Sequence, residues 1–357
     1  MQERAIARGT VVIFDMHDSV GNLFRTLNLL IQFVRFLDLG LIMRWTEFPG
    51  FGEAFIPGEI KWNVDAGPFL QQRGDVAEAA RSTDLHQMKF NNFFMVLSDS
   101  QLQLLASTLD AKETNSKALA TYFEDVLPGH MNIFMRFVMQ EPLKRNVALG
   151  TQPCTWNMLL SRSPSMVASL ENHSPWRVGR GSSASHHHST GYVAWHIRTS
   201  EGETVRSYHG QKYVIQEPPS DVCPTFRVAM EDALQRAKSC HASLSVRADE
   251  SLVFISSNSK SMAKDCTLEA AENDIVMGHV DMGLNASDAH TAFSNNPLQT
   301  ALGAFLDFLF LMDSTVIVRT ASSFSGTVAD MKGMHCHDHV YDSLPKRHVL
   351  ICLPPGC

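Results

Sequence analysis

In the segment "YVAWHIRTSEGE" (192–203), an apolar, β-rich run ends on His196 and Arg198, two residues apart. An imidazole and a guanidinium at one strand end suit an anion. The planar fork of Arg meets two phosphate oxygens at once, which Lys cannot do. A second segment, "TVIVRTASSFSGTVAD" (315–330), passes from β-branched side chains into small hydroxyl residues and then into a helical pattern. Such a junction offers backbone N–H groups and hydroxyls at the positive end of a helix, where an anion is favoured. Between the two lies Asp307, a carboxylate inside the apolar stretch "ALGAFLDFLFLM". These segments lack the GxGxxG of dinucleotide binders and the GK[ST] of P-loops. The ligand they predict is anionic and held by side chains and helix ends, without a glycine cradle.

Those residues need a frame that brings strand ends together. Beyond about residue 190 the pattern alternates. Strands are expected at 192–198, 252–258, 274–280 and 315–320, with helices at about 222–239, 259–272, 298–312 and from Ser323. Four β-α repeats in order predict a doubly wound, Rossmann-like half whose parallel strands are apolar because both faces are covered. Ligands of such sheets bind outside the carboxyl ends of the strands. Those ends read His196 and Arg198; Ser256, Ser257 and Asn258; Gly278 and His279; Thr320, Ser322, Ser323 and Ser325.

The N-terminal segment "TVVIFDMHDSVGNLFRTLNLLIQFVRFLDLGLIMRWTE" predicts strand, helix, strand. Leu23, Leu27, Leu30, Phe33, Val34 and Leu37 recur at helical spacing, Gly40 is expected to stop the helix, and "LIMRW" opens the next strand. This βαβ start implies a parallel sheet. From about 48 to 100, Gly and Pro are frequent and no period is sustained. Helices are expected at about 99–110, 113–126 and 155–170, with an apolar run "MNIFMRFVMQ" at 131–140. The polar Gly/Ser/His stretch "SPWRVGRGSSASHHHSTG" (174–191) reads as a loop dividing two α/β halves, residues 1–175 and 190–357.

The chain has 357 residues, 44% hydrophobic and 19% charged, enough apolar content for a sizeable core. A net charge of −7 argues against a nucleic-acid partner, which clustered Lys and Arg would meet. No window reaches the roughly 18 apolar residues that a membrane span needs. "MQERAIARG" has no apolar core of a signal peptide. The seven cysteines include no CxxC, and the odd count leaves at least one thiol free or paired between chains. Sequons at Asn172 and Asn285 would allow glycosylation in a secretory lumen.

The segment "YVAWHIRTSEGE" resembles the His-x-Arg segment of the fucosyltransferase superfamily, which includes α1,6-, nodulation and protein O-fucosyltransferases. "FLDFLFLMDSTVIVRTASSFSGTVADMKG" is similar to its C-terminal motif: a helix with an acidic residue, a strand, and a Thr-x-Ser-Ser turn into a helix. "DSVGNLFRTLNLL" looks like a degraded form of the Gly-x-Gly-Asn-Arg segment that opens the first half, with Gly21 and Asn22 on the nucleotide side. The resemblance covers about 190–335 and, more weakly, 11–47.

It implies an α/β, GT-B-like architecture of two Rossmann-like domains facing a cleft. It also implies an inverting glycosyltransferase that moves fucose from GDP-fucose to a glycan or protein hydroxyl, without a required metal or further cofactor. The partners implied are a nucleotide sugar and a glycan or glycoprotein acceptor, bound mainly by the first half. The compartment implied is the Golgi or ER lumen, if an anchor has been removed. Arg198 would grip the diphosphate and neutralise the leaving group, His196 would support the pocket, and Asp307 would accept hydrogen bonds from the guanine edge. Asn258, Thr320, Ser322, Ser323 and Phe324 would line phosphates and nucleoside.

Thr199, Ser200 and Glu201 stand where many members have a second Arg and an acidic residue, and Asn258 where many have Asp. The general base for the acceptor hydroxyl stays open among Glu201, Glu203 and Asp18. A nucleotide- or glycan-binding protein of the same fold without turnover, and an unrelated flavodoxin-like protein, are the alternatives.

Other clusters read more plainly. "MHCHDHV" (334–340) brings His335, His337 and His339 within reach of a zinc ion, but matches no zinc spacing and reads as a surface loop. "HHH" at 186–188 falls in the Gly/Ser stretch. Asp15, His17 and Asp18 read equally as a catalytic cluster or a polar turn, and Arg25 stands near the position of the first-half Arg.

Overall fold

The apolar runs at the two ends of the chain build two separate sheets. A computed structural model describes residues 2–15, 20–45, 50–70, 85–90, 93–108, 159–172, 192–198, 206–208, 211–213, 222–240, 252–257, 259–280, 297–320, 322–339 and 349–354. The chain divides into two units between Ser161 and Arg162, with Ser19–Gly21 grouped with the second. That boundary precedes the polar stretch at 174–191.

The first unit runs α1 (Gln2–Ala7), β1 (Val11–Asp15), α2 (Val20–Phe36), β2 (Gly40–Arg44), α3 (Phe51–Ala54), β3 (Phe55–Pro57), α4 (Gly67–Leu70), β4 (Leu85–Phe90), β5 (Phe93–Ser98) and α5 (Asp99–Thr108). β1 and β2 pair in parallel across α2, as the βαβ pattern predicts. The sheet order is β2-β1-β5-β4, and β5 runs antiparallel to β1, so this sheet is mixed. α2 buries Leu23, Leu27, Leu30, Phe33 and Val34, its apolar stripe. It ends at Phe36, earlier than Gly40, because Asp38 takes a left-handed turn at φ 51°. Gly40 instead opens β2, where an added Cβ would sit 2.8 Å from Ile6 Cγ1.

A short strand, β6 (Leu160–Arg162), pairs with β3 at the boundary. The helix expected over 155–170 is therefore cut. α6 (Pro164–Asn172) starts only at Pro164, because Ser163 caps it, accepting Met166 N at 3.0 Å, and proline suits the first helical position.

The second unit continues with β7 (Val193–Ile197), β8 (Arg206–Tyr208), β9 (Gln211–Tyr213), α7 (Val222–Cys240), β10 (Leu252–Ser257), α8 (Lys260–Ala271), β11 (Val276–Gly278), α9 (Pro297–Asp313), β12 (Val316–Thr320), α10 (Ser323–Met331), β13 (His335–His339) and β14 (Val349–Leu353). Its sheet has the order β11-β10-β7-β12-β14-β13, with the first four strands parallel. Numbered by their place in this half, those four run 3-2-1-4, the doubly wound order, with the reversal between β7 and β12.

Alternation then sorts the side chains. Val193, Trp195, Val253, Ile255, Val316 and Val318 form one core with α7 and α8, around fully buried Trp195 and Phe226. Residues one position along face α9 instead, where Phe254 stacks on Phe310 with centroids 4.6 Å apart.

Among the described residues, two disulfides staple this unit. Cys223–Cys266 ties α7 to α8, and Cys336–Cys352 joins paired positions of β13 and β14. Within the segment read as a surface loop at 334–340, His335–His339 form an edge strand. Among the described residues, no helix is long and apolar enough to cross a membrane.

Candidate functional site

One rung of the second sheet carries polar side chains where the rungs before it are apolar. Ser256 of β10 pairs with His196 of β7, and His196 pairs with Arg319 of β12. Because in-register neighbours share a face, this row of Ser256, His196 and Arg319 lies beneath α9 and α10, at the carboxyl ends of the strands and across the point where strand order reverses.

Each member of the row is held from above. The Asp307 carboxylate, on α9, accepts the Ser256 hydroxyl at 2.8 Å. Ser325 Oγ of α10 lies 2.9 Å from His196 Nδ1, and Phe324 stacks on the imidazole with centroids 5.3 Å apart and planes 26° apart. Phe308 meets Phe324 edge-on at 5.6 Å. Arg319 Nη1 donates to the Ser322 carbonyl at 3.1 Å and to the Thr320 carbonyl at 3.5 Å. One residue further along, the Thr320 hydroxyl accepts the Arg198 N–H at 2.9 Å and donates to the His196 carbonyl at 3.4 Å. The backbone at Arg198 is thereby tied to the end of β12.

Burial sets the protonation. His196 is 5% exposed, and desolvation, then the charges of Arg198 and Arg319, hold its pKa down at about 3, so the imidazole is neutral at physiological pH. Desolvation pushes Asp307 up to about 7 against the opposing hydrogen bond from Ser256. A carboxyl poised there changes charge in the physiological range.

α10 starts with Ser322 as its cap, whose hydroxyl accepts Phe324 N at 3.3 Å. α9 is fixed at its far end. The Tyr192 hydroxyl donates to the Phe310 carbonyl, Ser314 Oγ to that of Leu311 at 2.7 Å, and Lys332 Nζ to those of Met312 and Ser314. These donors satisfy carbonyls that a helix end leaves open. Burial lowers the Lys332 pKa to about 8. Asp313 at the same end takes a bidentate contact from Arg162 at 2.5 and 2.9 Å.

Of the residues expected from sequence, His196, the Arg198 backbone, Asp307, Thr320, Ser322 and Phe324 come together here, with Ser256 and Ser325 from the same strand ends. Ser323 opens α10, with its side chain outside the described residues. Gly21 and Asn22 lie in the first turn of α2, their side chains also undescribed, as is that of Arg25. Glu201, Glu203, Asp18, His17, Asn258 and the histidines at 186–188 lie outside the described residues. Gly278 ends β11, the edge strand, with His279 just after it, away from the row. Asp15 pairs with Arg44 in the first unit at 3.2 Å. His335 and His337 are exposed on β13, and no group of three metal-capable side chains occurs among the described residues. Sequence reasoning missed Arg319. Its signal was a charged residue inside an otherwise apolar strand.

No protein-family model matches the sequence, and no curated protein matches it at the level of sequence. Solved structures of fucosyltransferases are similar to it in fold. The fucosyltransferase NodZ from Bradyrhizobium is 12% identical, with 96% of this chain and 98% of that chain covered and a TM-score of 0.42. A mutant of Arabidopsis thaliana FUT1 in complex with GDP is 11% identical, covering 92% of this chain and 71% of that one, with a TM-score of 0.42. POFUT1 in complex with GDP-fucose is 11% identical, covering 90% and 93%, with a TM-score of 0.35.

Proposed function

We propose that the chain is an inverting glycosyltransferase that moves fucose from GDP-fucose to a hydroxyl of a glycan or protein. The observation that carries this reading is the row of buried Ser256 and His196 and half-buried Arg319 under Asp307 and the start of α10, at the strand-order reversal.

The chemistry divides by position. Guanine presents two adjacent N–H donors on one edge, and a carboxylate such as Asp307 accepts both; adenine has no such pair there. The diphosphate lies against the start of α10 and the guanidinium of Arg198. Their positive charge stabilises the GDP leaving group as the bond from fucose C1 to the phosphate oxygen breaks. The acceptor oxygen forms its bond to C1 from the opposite face and gives its proton to a carboxylate base, for which Glu201, Glu203 and Asp18 are the candidates. Neutral His196 adds no charge of its own and works as a packed platform for Phe324 and Ser325. No metal is required in this scheme, because the two cationic features meet the diphosphate. The two disulfides support folding in an oxidising compartment, consistent with a secretory lumen.

Thermal unfolding with GDP, GDP-fucose, UDP and ADP tests the reading. GDP and GDP-fucose at about 100 times their Kd should stabilise the protein by roughly 2–3 kcal/mol, and UDP and ADP should not. Release of GDP from GDP-fucose in a pool of glycan acceptors then reports transfer. Stabilisation by GDP with no release in any acceptor pool would make the chain a nucleotide-binding protein. Indifference to all four nucleotides would refute the reading.

A further inference from the structure

Arg319 has no role in the scheme above, yet its guanidinium is bonded to the start of α10. Its guanidinium donates to two carbonyls of the strand-to-helix turn, those of Thr320 and Ser322. The Ser322 carbonyl also accepts the first helical hydrogen bond, from Gly326 N at 3.0 Å. Gly326 lies directly over the guanidinium: an added Cβ would be 3.3 Å from Nη1 and 3.5 Å from Nη2. Its φ is not in the left-handed region, so the glycine answers a need for space and not for backbone freedom.

A trans peptide unit points its C=O and its N–H in opposite directions. Tying the Ser322 carbonyl inward therefore turns the N–H of the following residue, Ser323, outward at the tip of the helix. The planar fork suits this, since one Nη reaches two carbonyls while the rest of the group stays flat beneath the helix.

We infer that Arg319 is a positioning residue for the phosphate site: tucked under Gly326, it straps the Thr320–Ser322 turn so that the first turn of α10 presents its N–H groups to the diphosphate. This rests on the nucleotide reading above. It assigns Arg319 to the geometry of the anion site and leaves contact with the ligand to Arg198 and the helix start. Gly326 is the second part of the device, since a Cβ there, 3.3 Å from Nη1, would press the guanidinium aside by a few tenths of an ångström.

The test compares the full chain with Arg319→Met, Arg319→Lys and Gly326→Ala by two readouts. The first is amide hydrogen exchange of the segment 322–331 without ligand. The second is the affinity for GDP set against that for guanosine, which lacks the phosphates. Arg319→Met should raise exchange in the segment and weaken GDP by about 10-fold, a typical cost for a charge-assisted contact, while guanosine affinity stays within about two-fold. Arg319→Lys keeps the charge but cannot lie flat across both carbonyls, and should fall between. Gly326→Ala favours the helix by propensity, so a purely structural role predicts unchanged or improved folding and unchanged GDP affinity. The strap predicts unchanged folding with GDP about 3-fold weaker, and it carries the test if Arg319→Met does not fold.

Unchanged GDP affinity in both variants, or parallel loss of GDP and guanosine, would overturn the proposal. If the unaltered protein ignores GDP, the nucleotide reading fails and the exchange arm decides the strap by itself. Faster exchange in Arg319→Met then upholds the strap, and unchanged exchange removes it.

Discussion

The parallel strands of the two units end in different chemistry. In the first unit, Asp15 and Arg44, paired positions at the ends of β1 and β2, meet at 3.2 Å with side chains about a third exposed, 28% and 34%. The two charges neutralise each other within a pair of partly exposed side chains. In the second, the equivalent rim carries a buried neutral imidazole beside two arginines whose charges it feels, and a carboxyl raised to about 7. Topology separates the cases. Four parallel strands bring four carboxyl ends to one side of the second sheet, whereas β5 returns antiparallel beside β1 and delivers its amino end there. Polar residues at a strand end become a site when the sheet gathers them under a lid of helices; otherwise they pair and face water.

The largest expected contrast is redox. Both disulfides seen among the described residues lie in the second unit, across sequence separations of 43 and 16 residues. Loop-closure entropy assigns them about 4 and 3 kcal/mol respectively. Mild reduction should lower the unfolding transition of the second unit and leave that of the first in place, read by limited proteolysis of each unit on heating. Equal loss in both would erase the contrast.

Next comes ligand grip. Arg198→Ala should abolish GDP stabilisation, a loss of roughly 2–3 kcal/mol at saturating ligand, while Arg44→Ala leaves it unchanged. Thermal shift against GDP concentration measures both. Equal behaviour of the two variants would dissolve the distinction between the rims.

Proton linkage gives a smaller, signed effect. Asp307 is raised from 3.8 to about 7 in the fold, so between about pH 4 and 7 the folded state holds a proton that the unfolded state has lost, and stability falls as pH rises. His196 is lowered from 6.5 to about 3, so between about pH 3 and 6.5 the unfolded state holds the extra proton, and stability rises with pH. In the parent protein these slopes oppose. Asp307→Asn should expose the rising slope, up to about 1.4 kcal/mol per pH unit, and His196→Gln the falling one. Denaturant titrations at pH 4.5 and 6.5, values chosen to bracket roughly this window, would reveal both, and identical slopes in all three proteins would contradict the opposite shifts of the pair. The smallest effect belongs to the first unit's surface: Arg8→Ala, which removes the exposed 2.6 Å contact to Asp38, should change stability by less than about 1 kcal/mol in the same titrations.

Legibility followed the physics of each element. The four parallel strands of the second unit and the helices after them were readable because strands covered on both faces are continuous apolar runs separated by amphipathic helices, whereas the edge strand β13, rich in histidine, carries no such run. The hairpin of β4 and β5 was not, although "FFMVLS" is itself an apolar run. It lies in a stretch where no period is sustained, and a short apolar run by itself does not announce whether it is strand or buried helix. At Pro164 one proline moved a helix start by several residues. Of the candidate site, His196, Asp307, Thr320 and Ser322 could be chosen from residue type and position at predicted ends. Arg319 is marked only by its charge inside the apolar strand VIVRT, and nothing local names its partner.

The amino-acid sequence by itself determined the four parallel strands of the second half, the helices that follow them and the polar residues at their ends, since hydrophobic periodicity and cap chemistry act over a few residues. Tertiary structure alone decided that β12 lies beside β7, that Arg319 shares a rung with His196, and that Gly326 closes over the guanidinium. Strand order is a matter of how helices and twisted strands pack into one sheet, and no spacing along the chain encodes it.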